Sequence, residues 1–442
     1  MAGKRILVVG AGFGGLYAAL NLRRAVELGH RVTVVNPENF MQYQPFLPEV
    51  ASGTIDPRAV VVPLRRVLRH CEVVIGEVEG VEHDQRRARV RLADGRPIEI
   101  AYDVIALAPG SWARVLPIPG LAEHGVGFKT VQEAIWLRNH VLSRLDVAAE
   151  TDDPERRRAA LTFVFVGGGY AGVEALGELE DLARDALESY PGLRPDQMRW
   201  VLVEATGSIL PEIGSELADY ARERLEERGI EVLLETRLES AEGATLRLSD
   251  GQVFRADTLA WTAGVKPSPL AAESGFPVDA AGRIRTDAYL RVEGVDDAWA
   301  AGDAAAVPDR FGGGVMPPTA QHGMRQGKRL AENLSAVLRG GTPAPFEYRG
   351  IGAVVSLGRY KGVAVIRGVR LRGFPAWFAH RSYHLYAMPT LTRKVKIAAD
   401  WTVALLFPRD LAQLGSLEHP REPFERAAGS PPAGSPPTDR PD

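Results

Sequence analysis

Ile6-Leu-Val-Val9-Gly10-Ala-Gly12-Phe13-Gly14-Gly15 decides the fold, and the chain writes it a second time as Phe163-Val-Phe-Val166-Gly167-Gly168-Gly169-Tyr170-Ala-Gly172. Each copy is a short apolar run, then clustered glycines, then a helical pattern. A strand, a tight glycine turn and a helix start aim unpaired N–H groups and a positive dipole end at a pyrophosphate. One such fingerprint is weak. Two in this context imply two dinucleotides in one protein, a flavin and a nicotinamide exchanging a hydride.

Working outward, the two copies head two similar halves. In the first, strand Arg31-Val-Thr-Val-Val35 leads to Asn36, where an acidic residue normally grips the adenosine ribose. A meander over 73–107 follows, with Asp94-Gly95 as a hairpin signal and Ala108-Pro109-Gly110 as a strand-end turn. In the second, strand Trp200-Val-Leu-Val203 leads to Glu204, a carboxylate that suits two ribose hydroxyls and repels a 2′-phosphate. That favours NADH over NADPH. A second meander ends in Thr262-Ala263-Gly264. This internal repeat sets the organisation. After it come a strand running into Gly302-Asp303, a helix over 317–338, and a C-terminal region that turns aromatic, basic and helical. The last stretch, 418–442, is rich in proline and expected to be disordered.

Composition narrows the classes. A chain of 442 residues suggests two or three domains, and 45% hydrophobic with 25% charged residues is ordinary for a globular protein. A net charge of −3 with scattered arginines argues against a nucleic-acid binder. Cys71 is the only cysteine, so no intrachain disulfide can form and a reducing compartment fits. The opening apolar run feeds the first glycine turn, so it reads as a strand rather than a secretion signal. No apolar run reaches the roughly 18 residues a membrane span needs. No metal site is expected from the nine histidines.

With Gly10–Gly15, Phe46-Leu-Pro-Glu-Val-Ala-Ser-Gly53, Ala108-Pro-Gly110, Gly167–Glu178, Trp261-Thr-Ala-Gly264, Ala301-Gly-Asp303 and Pro318-Thr-Ala-Gln321 in place, the chain resembles the type II NADH:quinone oxidoreductases, two-dinucleotide-domain flavoproteins. The resemblance covers roughly residues 4 to 410. It implies an α/β fold with two Rossmann-like domains and a C-terminal α+β region with amphipathic helices. FAD would occupy a discontinuous domain, 1–115 and 265–345, and NADH the domain 116–264. Residues 346–417 would serve membrane association or dimerisation. The implied activity is hydride transfer from NADH to FAD, then two electrons to a membrane quinone without proton pumping. The implied place is cytoplasmic, peripheral on the inner face of the cell membrane. Asp303 would hold the ribityl chain, and Gly10, Gly12, Phe13, Gly14, Gly15, Asn36, Pro45, Val78, Ala108, Gly110, Gly302 and Ala320 complete the FAD contacts. Gly167, Gly169, Tyr170, Gly172, Glu204, Ala263 and Gly264 would hold NADH.

Three residues carry the catalytic expectation. Glu174, read as lying in the first turn of the second fingerprint helix, either complements the helix dipole or contacts the nicotinamide and assists quinone protonation. Glu178, one turn on, reads as a buried or paired structural group. Gln321 is placed by the resemblance near the flavin and the quinone. Arg325 stands where the family usually has a second glutamine; it either stabilises developing negative charge or is a surface arginine. Gln42-Tyr-Gln-Pro-Phe-Leu47 occupies the place of the redox cysteines of disulfide reductases, which excludes that chemistry. Between 370 and 410, Arg370, Arg372, Arg381, Arg393, Lys394, Lys396 and Arg409 face only Asp400 and Asp410 in number, among many aromatics. Ile397, Ala398, Trp401, Ala404 and Leu405 fall on one helical face, expected to meet an anionic membrane, with Pro389 between two helices. Two other readings stay open: a soluble flavoprotein reductase for a protein or small-molecule acceptor, and an NADH-binding redox sensor.

Overall fold

In a computed structural model describing residues 3–413, each fingerprint opens its own parallel sheet. The first sheet runs, edge to edge, Ala298–Ala300, Val104–Leu107, Arg5–Val9, Arg31–Asn36, Glu72–Glu82, Arg87–Leu92 and Pro97–Ala101. Its first five strands are parallel and the last two antiparallel. Strand order reverses at Arg5–Val9, which leaves a crevice beyond its carboxyl end. The second sheet is wholly parallel: Gly125–Gly127, Thr258–Trp261, Thr162–Val166, Arg199–Val203, Ile230–Leu233. Its central strands are buried on both faces, as their unbroken apolar sequence requires.

The expected meanders change shape. Val104–Leu107 leaves the first meander and pairs in parallel beside Arg5–Val9. In the second half the antiparallel strands Leu238–Ser240, Thr245–Leu248 and Val253–Arg255 form a separate small sheet. In both halves the fully apolar strand seeks the sheet centre, while the half-polar strands stay outside. The two passes between sheets, Ser111–Ala113 and Val265–Pro267, pair antiparallel.

The C-terminal region is a three-stranded hairpin sheet, Gly352–Ser356, Gly362–Ile366 and Val369–Arg372, followed by helices Phe374–Ala387 and Leu391–Leu406. Pro389 lies between the helices, as expected. Residues 414–442, and with them the expectation for the proline-rich tail, lie outside the described residues. The amphipathic reading of the last helix needs correction. Ile397 is fully buried, and Trp401 packs inward on Phe46. The face expected to meet a membrane is therefore split: Ile397 and Trp401 dock on the core, while Ala398 is exposed and Leu405 joins the outward side. A different stripe points out: Phe374, Phe378 and Tyr386 (81% exposed), then Leu391 (76% exposed), Val395, Leu405, Leu406 and Phe407. Among the described residues no helix is long and apolar enough to cross a membrane.

Candidate active site

The glycine turns are shaped by two kinds of crowding. A Cβ on Gly15 would sit 1.8 Å from the Gly10 carbonyl oxygen, and one on Gly172 2.0 Å from that of Gly167. Both glycines let the helix press against its turn. Gly12 and Gly169 are the opposite case, with no atom within 4 Å of where a Cβ would project. Their open faces are where a pyrophosphate can approach the backbone.

Beside the first turn lies a cleft of about 520 Å³, walled by Gly12, Gly14, Asn36, Gly110, Gly302 and Asp303 among others. Phe13 and Ala108 also line it. Asn36 Oδ1 accepts the Ala11 N–H (2.8 Å), and its Nδ2 donates to the Glu38 carbonyl (2.7 Å). Asp303 accepts a hydrogen bond from Ser111 Oγ (2.6 Å), which in turn accepts one from Lys129 Nζ (2.9 Å). Burial pulls the Lys129 ammonium below its ordinary pKa, against the pull of Asp303 and Glu133. Ser111 and Lys129 escaped the sequence reading. Ser111 directly follows Ala-Pro-Gly, and Lys129 directly precedes a Thr130–Glu133 capping box, so both stood next to legible signals. Lys129, Thr130, Gln132 and Glu133 line the first cleft although the sequence places them in the second domain. Pro45 sits in a single turn at Gln44–Phe46, and Val78 pairs with Val90 in the antiparallel strands; neither lines the cleft.

At the second turn Glu204 Oε2 accepts the Gly168 N–H (2.6 Å), and Oε1 accepts the N–H and hydroxyl of Thr206 (2.8 Å each). Thr262 donates to the carbonyls of Val166 and Gly167, bringing Ala263 and Gly264 beside the turn.

Glu174 is not a dipole-complementing residue. The helix starts at Tyr170, so Glu174 begins its second turn, and it is buried. Its Oε1 accepts the Ser356 N–H (2.9 Å) and lies 3.1 Å from His380 Nε2. Glu178, buried as expected, accepts from Ser356 Oγ (3.1 Å). Burial pulls the His380 ring down, but Glu174 and Glu49 outweigh it, so its pKa stands above the ordinary histidine value. His384, one turn on, is held far below it by burial and by His380, and its Nδ1 lies 3.1 Å from the Tyr43 hydroxyl. Buried Glu49 accepts from Trp401 Nε1 (2.6 Å) and pairs with Arg381 (3.1 Å). Helix Phe374–Ala387 thus touches the first half through His384 and the second through His380. Where disulfide reductases keep cysteines, Tyr43 and Phe46 pack edge-on against Phe13, His384 and Trp401. Cys71 is remote and partly buried, its thiol pushed up to about 12 by burial.

Helix Ala320–Leu338 enters the first cleft at Gly323. Gln321 Nε2 donates to the Gly352 carbonyl and its Oε1 accepts from Tyr348. Arg325 stacks over the Tyr348 ring (4.2 Å) and donates to the Gln321 carbonyl (3.0 Å). It is neither a free surface group nor one committed to the cleft. Gln326, next in sequence, is buried and accepts the Gly302 N–H (2.8 Å). Among the described residues no cluster of ligating side chains could hold a metal.

Comparison with known proteins agrees with this layout. Residues 4–327 match the pyridine nucleotide-disulphide oxidoreductase family. The chain is 32% identical over 423 residues to the type II NADH:quinone oxidoreductase Ndh of Mycobacterium tuberculosis, covering 92% of this chain and 89% of that protein. It is 30% identical over 444 residues to a mitochondrial internal alternative NAD(P)H-ubiquinone oxidoreductase of Solanum tuberosum, covering 93% and 88%. NDH2 of Plasmodium falciparum, solved in complex with NADH, superposes with a TM-score of 0.86 over 92% of this chain and 99% of that one, at 17% identity. The chain belongs to the pyridine nucleotide-disulphide oxidoreductase family and, within it, to the type II NADH:quinone oxidoreductases.

Proposed function

We propose that this chain oxidises NADH and passes the electrons to a quinone, with FAD in the first cleft and NADH at the second glycine turn. The observation that carries the reading is the pair of open glycine faces, Gly12 and Gly169, each beneath a strand-end polar residue, with an aromatic wall in place of a cysteine pair. The first cleft fits FAD: the glycine turn meets the pyrophosphate, and Asp303, braced by Ser111 and Lys129, accepts from the ribityl hydroxyls. FAD, when bound, takes up a hydride and releases electrons to a second acceptor.

The protein's part is binding and orientation. Glu204, already fixed by Gly168 and Thr206, holds adenosine ribose hydroxyls and repels a 2′-phosphate. For hydride to pass from NADH to a bound FAD, this chain would need to supply position rather than an acid or base. Quinone reduction needs protons, and Glu174 with His380 supplies a buried acid–base pair at the junction of the halves. Gln321 lies at the acceptor side. The domain limits that go with this reading are 1–115 and 265–345 for FAD and 116–264 for NADH, with Lys129, Thr130, Gln132 and Glu133 lent to the FAD cleft.

The outward stripe from Phe374 to Phe407, with exposed Lys396 on the last helix, suits the headgroup region of an anionic membrane. Co-sedimentation with anionic vesicles, lost in a Leu391→Ser/Val395→Ser variant, is the expected result; unchanged binding removes this surface from the reading. The activity itself is tested by NADH oxidation in the FAD-loaded protein with and without a short-chain quinone. Fast quinone-dependent turnover supports it. Flavin reduction without such turnover overturns the quinone assignment and favours another acceptor.

A further inference from the structure

Gln321 is gripped at both ends of its amide by one short segment, 348–352. A backbone carbonyl can only accept, so the Gly352 oxygen fixes which end of the amide carries the NH₂ group. The other end, Oε1, then faces Tyr348, whose hydroxyl must donate to it (2.9 Å). That hydroxyl in turn accepts the Ile351 N–H (3.4 Å). The tyrosine ring is itself fixed: the Arg325 guanidinium lies over it at 4.2 Å, and the His322 ring meets its edge at 5.4 Å. Arg325 also ties back to the Gln321 backbone carbonyl. Of the four hydrogen bonds the amide can make, the described residues take one N–H and one oxygen lone pair.

We propose that Tyr348 is the positioning residue for Gln321, locking its amide so that the remaining N–H is presented as a donor to a carbonyl oxygen of the electron acceptor. The proposal rests on the reading that Gln321 stands at the acceptor side. A quinone carbonyl gains negative charge as it is reduced, and a donor already held in place favours that form without reorganising at the moment of reaction. It also gives Arg325 a role: the arginine that replaces the family's usual glutamine holds the tyrosine that holds Gln321. Without the phenol oxygen the amide oxygen loses its partner and the side chain can turn.

The test uses the full-length, FAD-loaded protein and three variants: Tyr348→Phe, Gln321→Leu and the double variant. Retained FAD absorbance checks folding, and the phenylalanine keeps the ring under Arg325. For Tyr348→Phe the expected result is a five- to tenfold fall in kcat/KM for a short-chain quinone, about the worth of one hydrogen bond, carried mainly by kcat because the donor acts on charge that develops during reduction. The rate of flavin reduction by NADH without quinone stays as in the parent. The double variant is no worse than Gln321→Leu, because the tyrosine acts only through the glutamine. Additive losses, or an unaltered Tyr348→Phe where Gln321→Leu is impaired, overturn the positioning role alone. Parent-like quinone kinetics in Gln321→Leu overturn the acceptor-side reading and the proposal with it.

Discussion

In the first half the residue closing the second strand is Asn36; in the second it is Glu204. Both take the N–H of the middle residue of the turn, Ala11 in one and Gly168 in the other. The difference lies in what remains. Asn36 turns its NH₂ group back onto the Glu38 carbonyl, so both ends of its amide serve the loop. Glu204 is acceptor-only, and Gly168 and Thr206 already take three of its roughly four lone-pair sites, so what it adds at the turn is a carboxylate that suits ribose hydroxyls and opposes a 2′-phosphate. The strand-end polar residue is therefore first a brace for the glycine turn, and the halves differ in the chemistry it presents there, an amide in one and a carboxylate in the other. The middle residue differs for a related reason. A Cβ on Gly168 would press within 2.9 Å of Ile209 and 3.1 Å of Glu204 Oε2, whereas Ala11 fits beside the shorter amide.

The largest expected effect separates the halves by function. Gly15→Ala and Gly172→Ala each drive a Cβ into a backbone carbonyl that cannot move far, a strain of about 3 kcal/mol or more. Gly15→Ala should purify without FAD. Gly172→Ala should keep its FAD absorbance but reduce it slowly with NADH. The opposite pattern exchanges the two nucleotide assignments.

Next is the charge at the second turn. Glu204→Gln should lower kcat/KM for NADH by ten- to a hundredfold, in line with about 1.5–3 kcal/mol for hydrogen bonds to a charged group, and narrow the gap to NADPH. Steady-state kinetics with both donors reads it; an unchanged ratio leaves Glu204 as a brace alone.

The seam between the halves comes third. Because the folded pKa of His380 is raised, its stabilisation is complete below about pH 6.5 and fades as pH climbs through the folded value. His380→Gln should lower stability by about 1–2 kcal/mol at pH 6, and the difference should shrink toward pH 9. Denaturant melts at the two pH values measure it. A constant difference assigns His380 to packing rather than charge.

The smallest effect belongs to the first turn. Asn36→Asp keeps the Ala11 contact but sets a carboxylate against the Glu38 carbonyl, where the amide donated. A loss of about 1 kcal/mol in FAD retention and thermal stability is expected. A gain would make Asn36 a weakened ligand rather than a brace.

The strands, the two glycine turns, Glu204 and Asp303 were legible because each depends on local geometry. A turn needing positive φ at Gly10 and Gly167 admits little but glycine, and an apolar strand needs a sheet centre. The run Glu178-Leu-Glu-Asp181 shows where that legibility ends. Glu178 read as a buried group, but nothing marked Glu180 and Asp181, which are buried as well and meet Arg184, Arg228 and the Arg359 N–H. Helix amphipathicity likewise named one apolar face on Leu391–Leu406 without showing what it meets. Ile397 and Trp401 went inward because Phe46 and the buried Glu49 carboxylate wait for them.

By itself the sequence determined two glycine turns of the dinucleotide-binding kind and the absence of a redox cysteine pair, since these follow from backbone sterics and residue chemistry within short windows. Only the tertiary structure decided that Glu174 meets His380, that Lys129 and Ser111 stand behind Asp303, and that Tyr348 grips Gln321. Those contacts join residues 18 to 206 positions apart, and the burial that makes them matter exists only once the sheets, the hairpin and the two last helices have closed over one another.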